Sequence, residues 1–427
     1  MKRTHYTNEL EGQDGKEVTV AGWVDQLRML GKIGFIMLRD RYGTVQVTLP
    51  KSKVGVLYDE AEQFTKESVI AVKGTLQASK EAPGGRELIP NSIELLSKAA
   101  APLPMDVSGK ISSELETRLD SRFMDLRQPA VAAVFAVRDS LLTGIRDYLE
   151  SEGFVEVHTP KIVEAGAEGG ATLFQLDYFG KKAFLSQSPQ LFKQALMATG
   201  LDRVYEIAPA FRAEPSATTK HVSEFISLDF EMAFIESQED VMRITEEMVV
   251  AAIKHVKKEA AEELQVLGKD VTVPKTPFKR VSFADAKKML AEKGKEVTND
   301  LDSEAEKLLG EVVGDEFYFI TEFPHAEKPF YIMENGDFSH SFDLGYAGLE
   351  LASGGQREHR AEELEARMKK LKLKPKDFVF YLSAFKYGMP PHGGVGIGVD
   401  RFVQKLLGLS NVREAVLFPR DKIRLVP

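Results

Sequence analysis

Hydrophobic and polar residues alternate with period two over residues 203–234, which predicts two β-strands joined by a polar loop at 215–220. One face of the second strand carries an aromatic ring, a hydroxyl and two acids: Phe225, Ser227, Asp229 and Glu231. The intervening residues are apolar and predict a core-facing side. Arg212 and Glu214 share a face at the end of the first strand. A half-exposed hairpin without a ligand shows the same alternation, but a guanidinium, carboxylates and a flat ring together suit a nucleoside triphosphate.

The N-terminal part of the chain alternates in short segments separated by glycine-containing turns. Five strands are predicted, at 18–24, 34–39, 44–49, 69–77 and 87–96, with one helix at 54–65. This order is typical of a small closed barrel of the oligonucleotide-binding (OB) type, although other small β-barrels fit the pattern as well. Residues 97–106 have the Ala/Pro-rich composition of a linker.

Apolar residues then recur at three- and four-residue spacing over 130–151, which predicts an amphipathic core helix followed by a strand at 154–158. Residues 270–330 alternate between helix-like and strand-like stretches, and we recognise no site chemistry in them. The pattern predicts three parts: a barrel domain at 1–97, a linker or hinge at 98–129, and a larger domain of mixed helices and strands at 130–427.

Composition limits the classes of function. The net charge of −9 argues against nonspecific coating of nucleic acid, although local basic patches remain compatible with an RNA substrate. The absence of cysteine excludes disulfides, thiolate nucleophiles and cysteine-bound metals. The sequence has no signal-peptide pattern and no apolar stretch of membrane-spanning length, so we expect a cytoplasmic protein with no membrane partner.

Residues 211–214 (FRAE) and 221–231 (HVSEFISLDFE) resemble motif 2 of the class II aminoacyl-tRNA synthetases, in the aspartyl, asparaginyl and lysyl subgroup. The resemblance implies that Arg212 binds the α-phosphate of ATP and the substrate α-carboxylate. It places Glu214 at the adenine end, His221 at the γ-phosphate, and Asp229 at the ammonium of the amino acid. The helix at 130–151 resembles motif 1 and implies a homodimer.

The amino-acid pocket is implied by two further segments. Residues 187–194 (QSPQLFKQ) resemble the stretch in which aspartate enzymes carry a lysine, which here is Lys193, close to Gln190. Arg357 matches the arginine that grips the side-chain carboxylate of the substrate. Residues 165–172 resemble a flap that places Glu168 near the substrate ammonium. Two cations in a closed pocket are balanced by a carboxylate but not by an amide, which favours aspartate over asparagine.

The nucleotide and metal sites are implied by the last third of the chain. No GxxxxGK[ST] loop is present, and the glycine spacing at 393–398 does not fit a dinucleotide-binding loop. Residues 396–401 (GIGVDR) resemble motif 3, which implies ATP binding along Gly396 and Gly398 and an adenine held between Phe225 and Arg401. Acidic and hydroxyl oxygens suit Mg²⁺, and the resemblance implies Glu350 and Ser353 on a metal that bridges the phosphates, with Asp343 at an accessory metal.

The barrel resembles the anticodon-binding domain of the same subgroup, which implies that Phe35 stacks on an anticodon base while Arg28 and Gln46 make polar contacts. The resemblance implies an α+β catalytic domain at 130–427, built on an antiparallel sheet flanked by helices. Together these features imply a class II synthetase that activates L-aspartate with ATP and charges tRNA(Asp). Three alternatives stay open: an enzyme that also charges tRNA(Asn), an asparagine enzyme, and a repurposed relative that binds RNA or makes a free amino acid.

Overall fold

The computed structural model describes residues 2–164, 173–215, 218–314 and 316–427. They form two compact units, Met1–Thr117 and Arg118–Pro427. The structural division falls inside the segment 98–129 that the sequence marks as a linker, and the three-part functional division stays a prediction. Among the described helices, none combines the length and the apolar composition that crossing a lipid bilayer requires.

The first unit contains a closed five-stranded barrel, as predicted, and its strand order is β1-β2-β3-β5-β4. Its elements are β1 (Glu17–Met29), β2 (Ile33–Arg39), β3 (Thr44–Pro50), α1 (Lys51–Val54), α2 (Val56–Ala61), β4 (Val69–Ala78) and β5 (Arg86–Ser97). Alternate apolar residues such as Val20, Ile36 and Val72 fill its interior. The single predicted helix is in fact two short ones, because Gly55 has a φ of 53° and interrupts the helical path.

The second unit begins within α3 (Leu115–Asp120) and is organised around an eight-stranded sheet of order β12-β13-β16-β17-β18-β11-β10-β6. Its remaining helices are α4 (Arg122–Asp125), α5 (Pro129–Ser151), α6 (Gln190–Leu196), α7 (Gln238–Glu259), α8 (Ala261–Leu267), α9 (Phe283–Glu292), α10 (Ser303–Val313), α11 (Ala361–Lys370), α12 (Val379–Lys386) and α13 (Val399–Leu406). Its large-sheet strands are β6 (Val155–Glu156), β10 (Arg203–Phe211), β11 (Glu224–Ala233), β12 (Lys279–Ser282), β13 (Tyr318–Thr321), β16 (Ser341–Tyr346), β17 (Leu349–Gln356) and β18 (His392–Gly398). Two small sheets contain β7 (Ile162–Val163), β8 (Gln175–Tyr178), β9 (Lys181–Leu185), β14 (Glu334–Asn335) and β15 (Phe338–Ser339).

The large sheet is antiparallel except at its two edges, where β12 pairs with β13 and β6 pairs with β10 in parallel. Helices α5 and α7 cover one face, and their apolar sides meet Leu228, Phe230 and Met232 of β11 in the main core. This arrangement confirms the predicted α+β fold. It also confirms that the apolar face of the 203–234 hairpin is the core face, which leaves the opposite face of β11 for the site.

Candidate active site

Strand β18 lies between β11 and β17 and aligns the polar residues of both strands. Gly396 is opposite Asp229 on one side and opposite Ser353 on the other. Ser353 is in turn opposite Asp343 of β16. The antiparallel register therefore brings Asp229 together with residues more than a hundred positions further along the chain, on the face of the sheet that the core helices leave open.

A cavity of about 310 Å³ opens on this face. Most of the residues predicted for the site line it: Gln190, Arg212, Glu214, His221, Phe225, Asp229, Glu350, Ser353, Arg357, Gly396, Gly398 and Arg401. Lys193 and Asp343 do not line the cavity, but each forms an ion pair with a residue that does. Lys193 pairs with Asp229, and Asp343 pairs with Lys328. Glu168 lies outside the described residues.

Lys193 is buried beneath the cavity, with 3 % of its surface exposed. Its ammonium donates to Asp229 Oδ1 at 2.9 Å and to the carbonyl oxygen of Val395 at 2.9 Å, and it lies 3.5 Å from Glu231 Oε2. Helix α6 begins at Gln190, which lines the cavity, and Lys193 lies about one helical turn further along the same helix. Lys193 therefore influences the cavity through its ion pair with Asp229, which lines the cavity.

Glu231 is a site residue that sequence reasoning did not assign. It is fully buried and accepts from Arg357 Nε at 2.9 Å and from Arg357 Nη2 at 3.3 Å. Burial alone would raise the pKa of Glu231, but the positive charges of Arg357 and Lys193 bring this pKa below its ordinary value. The alternation that placed Glu231 on the same face as Asp229 was the available signal.

The ion pairs among Lys193, Asp229, Glu231 and Arg357 change what the sequence predicted for the charge of the amino-acid pocket. The sequence suggested two cations awaiting a substrate carboxylate, but Lys193 and Arg357 are already matched by the carboxylates of Asp229 and Glu231. That part of the prediction is wrong for the ligand-free protein. The residues are separated along the chain, so only the fold could show that their charges cancel.

The glycines of β18 make room for these acids. A Cβ atom at Gly394 would collide with the Glu231 carboxylate and with the Phe230 carbonyl oxygen. A Cβ atom at Gly396 would lie 3.0 Å from Asp229 Oδ1. The glycines of β18 therefore leave room for the carboxylates of Glu231 and Asp229. The missing side chains also leave the backbone of β18 accessible from the cavity.

Aromatic and cationic groups line the other part of the cavity. The Arg212 guanidinium lies 5.5 Å from the centre of the Phe225 ring. Arg401 donates to the carbonyl oxygens of Lys220 and Glu350, at 3.1 and 3.3 Å. A flat ring and two guanidinium groups that line one cavity are suited to a purine base and its phosphates.

His221 lines the same part of the cavity and is held by Thr218, whose hydroxyl lies 2.7 Å from Nδ1. Burial and the positive charges of Arg401, Lys220 and Arg212 lower the pKa of His221 to about 4. The imidazole is therefore neutral in the ligand-free protein near neutral pH, and an incoming anion would favour its protonated form.

Two predicted metal ligands lie where strand β17 meets β16. Burial and the negative charge of Asp343 raise the pKa of Glu350 to about 7. Asp343 Oδ2 accepts from Lys328 at 3.0 Å, while the buried Oδ1 has no hydrogen-bond partner among the described residues. Lys328 lines the cavity, so the expectation that residues 270–330 carry no site chemistry is wrong at this position.

The described part of the chain contains no cluster of three or more His, Cys, Asp or Glu side chains that could hold a metal by themselves. A carboxyl group whose ionisation is disfavoured by a neighbouring acid, together with an unsatisfied carboxylate oxygen, nevertheless fits a cation whose remaining ligands come from elsewhere. Phosphate oxygens and water are such ligands.

The predicted anticodon residues share one face of the barrel. Arg28 is opposite Phe35 across β1 and β2, and Phe35 is opposite Thr48 of β3, two residues from Gln46. Gln46 donates to Thr48 at 3.1 Å and approaches Glu87 of β5 at 3.5 Å. The barrel therefore presents a ring with hydrogen-bonding groups on both sides, which suits an unpaired base.

Comparison with known proteins identifies both units. Residues 114–422 match the family described as tRNA synthetases class II (D, K and N), and residues 18–96 match the OB-fold nucleic acid binding domain.

Similar proteins share the whole length. The chain is 49% identical to an aspartate–tRNA(Asp) ligase of Pyrococcus horikoshii, over all of both chains. It is 49% identical to an aspartate–tRNA(Asp/Asn) ligase of Methanopyrus kandleri, again over all of both chains. Among solved structures, the asparaginyl-tRNA synthetase of Pyrococcus horikoshii complexed with asparaginyl-adenylate superimposes with a TM-score of 0.94 at 34% identity, covering all of both chains.

Proposed function

The chain belongs to the class II tRNA synthetases of the aspartate, lysine and asparagine group, and we propose that it is an aspartate–tRNA ligase. It activates L-aspartate with ATP and transfers the aspartyl group to the 3′ end of tRNA(Asp). The single observation that carries this assignment is the identity of 49% over the full length of a ligase of that specificity.

The reaction takes place in two steps. The α-carboxylate of aspartate attacks the α-phosphorus of ATP, a new oxygen–phosphorus bond forms, and pyrophosphate leaves. The hydroxyl of the terminal ribose of tRNA then attacks the acyl carbon, and AMP leaves with the bonding electron pair. Neither step needs a protein nucleophile, so catalysis depends on positioning and on charge stabilisation.

We assign ATP to the part of the cavity with the aromatic ring. Phe225 and Arg401 would hold the adenine, with Glu214 at its edge and the backbone of Gly396 and Gly398 alongside. Arg212 would bind the α-phosphate and stabilise the negative charge that grows there during attack. His221 would contact the γ-phosphate.

We assign aspartate to the part above the buried charges. Asp229 would accept from the ammonium group, and Arg357 would donate to the side-chain carboxylate. Gln190 lines the same cavity. Lys193 would hold the Asp229 carboxylate in place, because the two groups are joined at 2.9 Å below the cavity floor. The flap residue Glu168 stays a prediction.

The magnesium site is proposed on the fit of the acids. Glu350 and Ser353, with Asp343 at an accessory position, would hold Mg²⁺ bound with ATP, and the metal would offset the charge of the phosphates. In the ligand-free protein, Lys328 forms an ion pair with Asp343 and so provides part of the positive charge that the metal would provide.

Further assignments follow from the same resemblance. Arg28, Phe35 and Gln46 would bind the anticodon, and α5 with β6 would form a homodimer interface. A cytoplasmic location is proposed because charged tRNA is used there.

The test of the proposed function is exchange of labelled pyrophosphate into ATP by the purified protein. Aspartate should support exchange and asparagine should not. Equal exchange with asparagine would contradict the assignment.

A second candidate function is favoured by one observation. The relative from Methanopyrus kandleri named aspartate–tRNA(Asp/Asn) ligase is as similar as the relative from Pyrococcus horikoshii. Aspartylation of tRNA(Asp) and tRNA(Asn) measured side by side discriminates the two. A strong preference for tRNA(Asp) supports the first candidate, and comparable rates support the second.

A further inference from the structure

A strongly basic segment interrupts an otherwise acidic chain. The protein has a net charge of −9, yet residues 366–376 (ARMKKLKLKPK) contain cations and no acid. Arg367 is buried against His325 and Glu334, so it belongs to the fold. The lysines of the segment are all exposed: Lys369, Lys370, Lys372, Lys374 and Lys376.

Helix stabilisation explains only part of this charge. Lys369 and Lys370 lie in the last turn of α11, where cations interact favourably with the helix dipole. The other three lie beyond the helix, in the connection to α12. Lys369 approaches Glu365 at 3.9 Å, and the remaining four form no ion pair with any described residue. A cluster of like charges that folding does not neutralise is suited to an anionic partner.

Exposed hydrophobic side chains continue the basic surface. On α12, Tyr381, Leu382 and Phe385 are buried against α11, whereas Phe380 is 62 % exposed. Tyr387, directly after the helix, is 90 % exposed. Exposed rings and exposed lysines on successive elements of the chain supply the two kinds of contact that single-stranded nucleic acid uses, which are base stacking and phosphate charge.

Helix α12 connects this surface to the aspartate part of the cavity through α6. The Phe380 ring packs on Phe192 at 5.5 Å between ring centres, and Tyr381 donates to Gln194 Oε1 at 3.1 Å. Gln190, which lines the cavity, donates to the same oxygen at 2.8 Å. A polymer bound on the α12 surface therefore lies against the helix that carries a wall of the cavity.

We propose that the surface formed by residues 369–376 and the outer side of α12 binds the tRNA substrate near its 3′ end. The lysines contact phosphates, and Phe380 and Tyr387 contact unpaired nucleotides. This inference rests on the proposed function for the identity of the RNA, and it adds to the anticodon contacts a second binding surface that belongs to the catalytic unit.

The test replaces the five lysines at 369, 370, 372, 374 and 376 with glutamine. The matched control replaces five other exposed lysines of the same unit with glutamine: Lys254, Lys258, Lys275, Lys288 and Lys293. Both variants lose the same total charge. Affinity for tRNA(Asp) transcript is measured by filter binding at several salt concentrations, and the pyrophosphate exchange with aspartate is measured in parallel.

We expect the first variant to bind tRNA at least about tenfold more weakly at moderate salt. The slope of its log affinity against log salt should flatten by about 0.7–0.9 for each phosphate that the lysines no longer neutralise. Its aspartate-dependent exchange should equal that of the parent, because the cavity is unchanged. Tyr387→Ser should weaken binding without changing the salt dependence, since it removes stacking alone.

Two results would overturn the inference: tRNA affinity equal to that of the parent, or an equally large decrease in the control variant. Its failure is distinguishable from failure of the proposed function. If the parent shows no aspartate-dependent exchange, the function is wrong, and the RNA-binding comparison still decides whether this surface binds RNA.

Discussion

Replacing Lys193 with methionine tests the balance of buried charge under the aspartate part of the cavity. Methionine retains most of the apolar stem and removes the ammonium. Asp229 and Glu231, which are 3 % and 0 % exposed, then share a single cation, Arg357. The variant therefore leaves one uncompensated negative charge in the interior.

The size of the effect follows from the geometry. At 2.9 Å and an effective dielectric constant of about 20, the attraction of Lys193 to Asp229 is about 6 kcal/mol, before the cost of burying the ammonium is subtracted. Breaking a buried pair by removing one partner costs about 3–5 kcal/mol. Since domains are stable by about 5–15 kcal/mol, the free energy of unfolding of the second unit should fall by a large fraction. The substitution should therefore disturb the fold as well as abolish aspartate activation.

The two units can be followed separately during unfolding in urea. Trp23, the single tryptophan of the chain, lies in β1 and reports the barrel by fluorescence. Far-UV circular dichroism reports mainly the helices, most of which belong to the second unit. We expect the dichroism transition of Lys193→Met to move to lower urea while the fluorescence transition stays in place.

Two further variants separate charge from packing. Adding Asp229→Asn to Lys193→Met restores neutrality and should recover most of the stability without recovering aspartate activation. Lys288→Met removes a lysine from an exposed pair and should leave the transition unchanged. A Lys193→Met protein with the stability and the exchange activity of the parent would refute the reasoning.

Three other predictions concern two residues that line the cavity and one glycine that packs beside it. The pKa of His221 is about 4 in the free protein, so phosphate binding should raise it. ATP binding at about pH 6 should take up protons, measured by calorimetry in buffers of different ionisation enthalpy, and His221→Asn should remove the uptake. The pKa of Glu350 is about 7, so protons should compete with metal: Mn²⁺ affinity in the presence of ATP should fall as pH drops below about 7, by up to about tenfold per unit. Glu350→Gln should bind Mn²⁺ more weakly and without this pH dependence; an unchanged profile would remove Glu350 from the metal site. Gly394→Ala should destabilise the second unit by about 1–3 kcal/mol, because its Cβ would collide with Glu231. Gly398→Ala, where a Cβ would meet its neighbours at ordinary contact distance, should be tolerated, and equal stability of the two glycine variants would contradict the packing argument.

The fold was largely predictable because its strands alternate cleanly. The barrel strands and the 203–234 hairpin have period-two patterns bounded by turn residues, and each was found. The helix predicted at 54–65 ended at Ala61 and was divided at Gly55, because a glycine in a left-handed conformation overrides the helical pattern on either side. Boundaries of this kind depend on tertiary context.

The site was predictable as a set of residues but not as a set of pairs. Motif resemblance named Lys193, Asp229 and Arg357, whereas the pairing of Glu231 with Arg357 joins positions far apart in the chain. Lys328 was missed for the same reason: nothing near it in the sequence indicates that it meets Asp343. Charge compensation is a property of the register of the sheet, which a one-dimensional pattern does not contain.

The compensated charges change the argument for choosing aspartate over asparagine. If the two cations were unpaired, net charge alone would favour a carboxylate. In the structure Glu231 already accepts from Nε and Nη2 of Arg357, whereas Nη1 donates to no described residue. A substrate carboxylate offers an acceptor oxygen in either orientation, whereas an amide offers one acceptor and a pair of N–H donors that cannot pair with another donor. A site built from donors rejects the amide because polar groups are left unpaired, and such rejection can be strong without any excess of charge. Selectivity should therefore depend on Glu231 holding the Arg357 donors in place. In pyrophosphate exchange, Glu231→Gln should reduce the preference for aspartate over asparagine. The factor of this reduction should exceed the factor by which the variant weakens ATP binding.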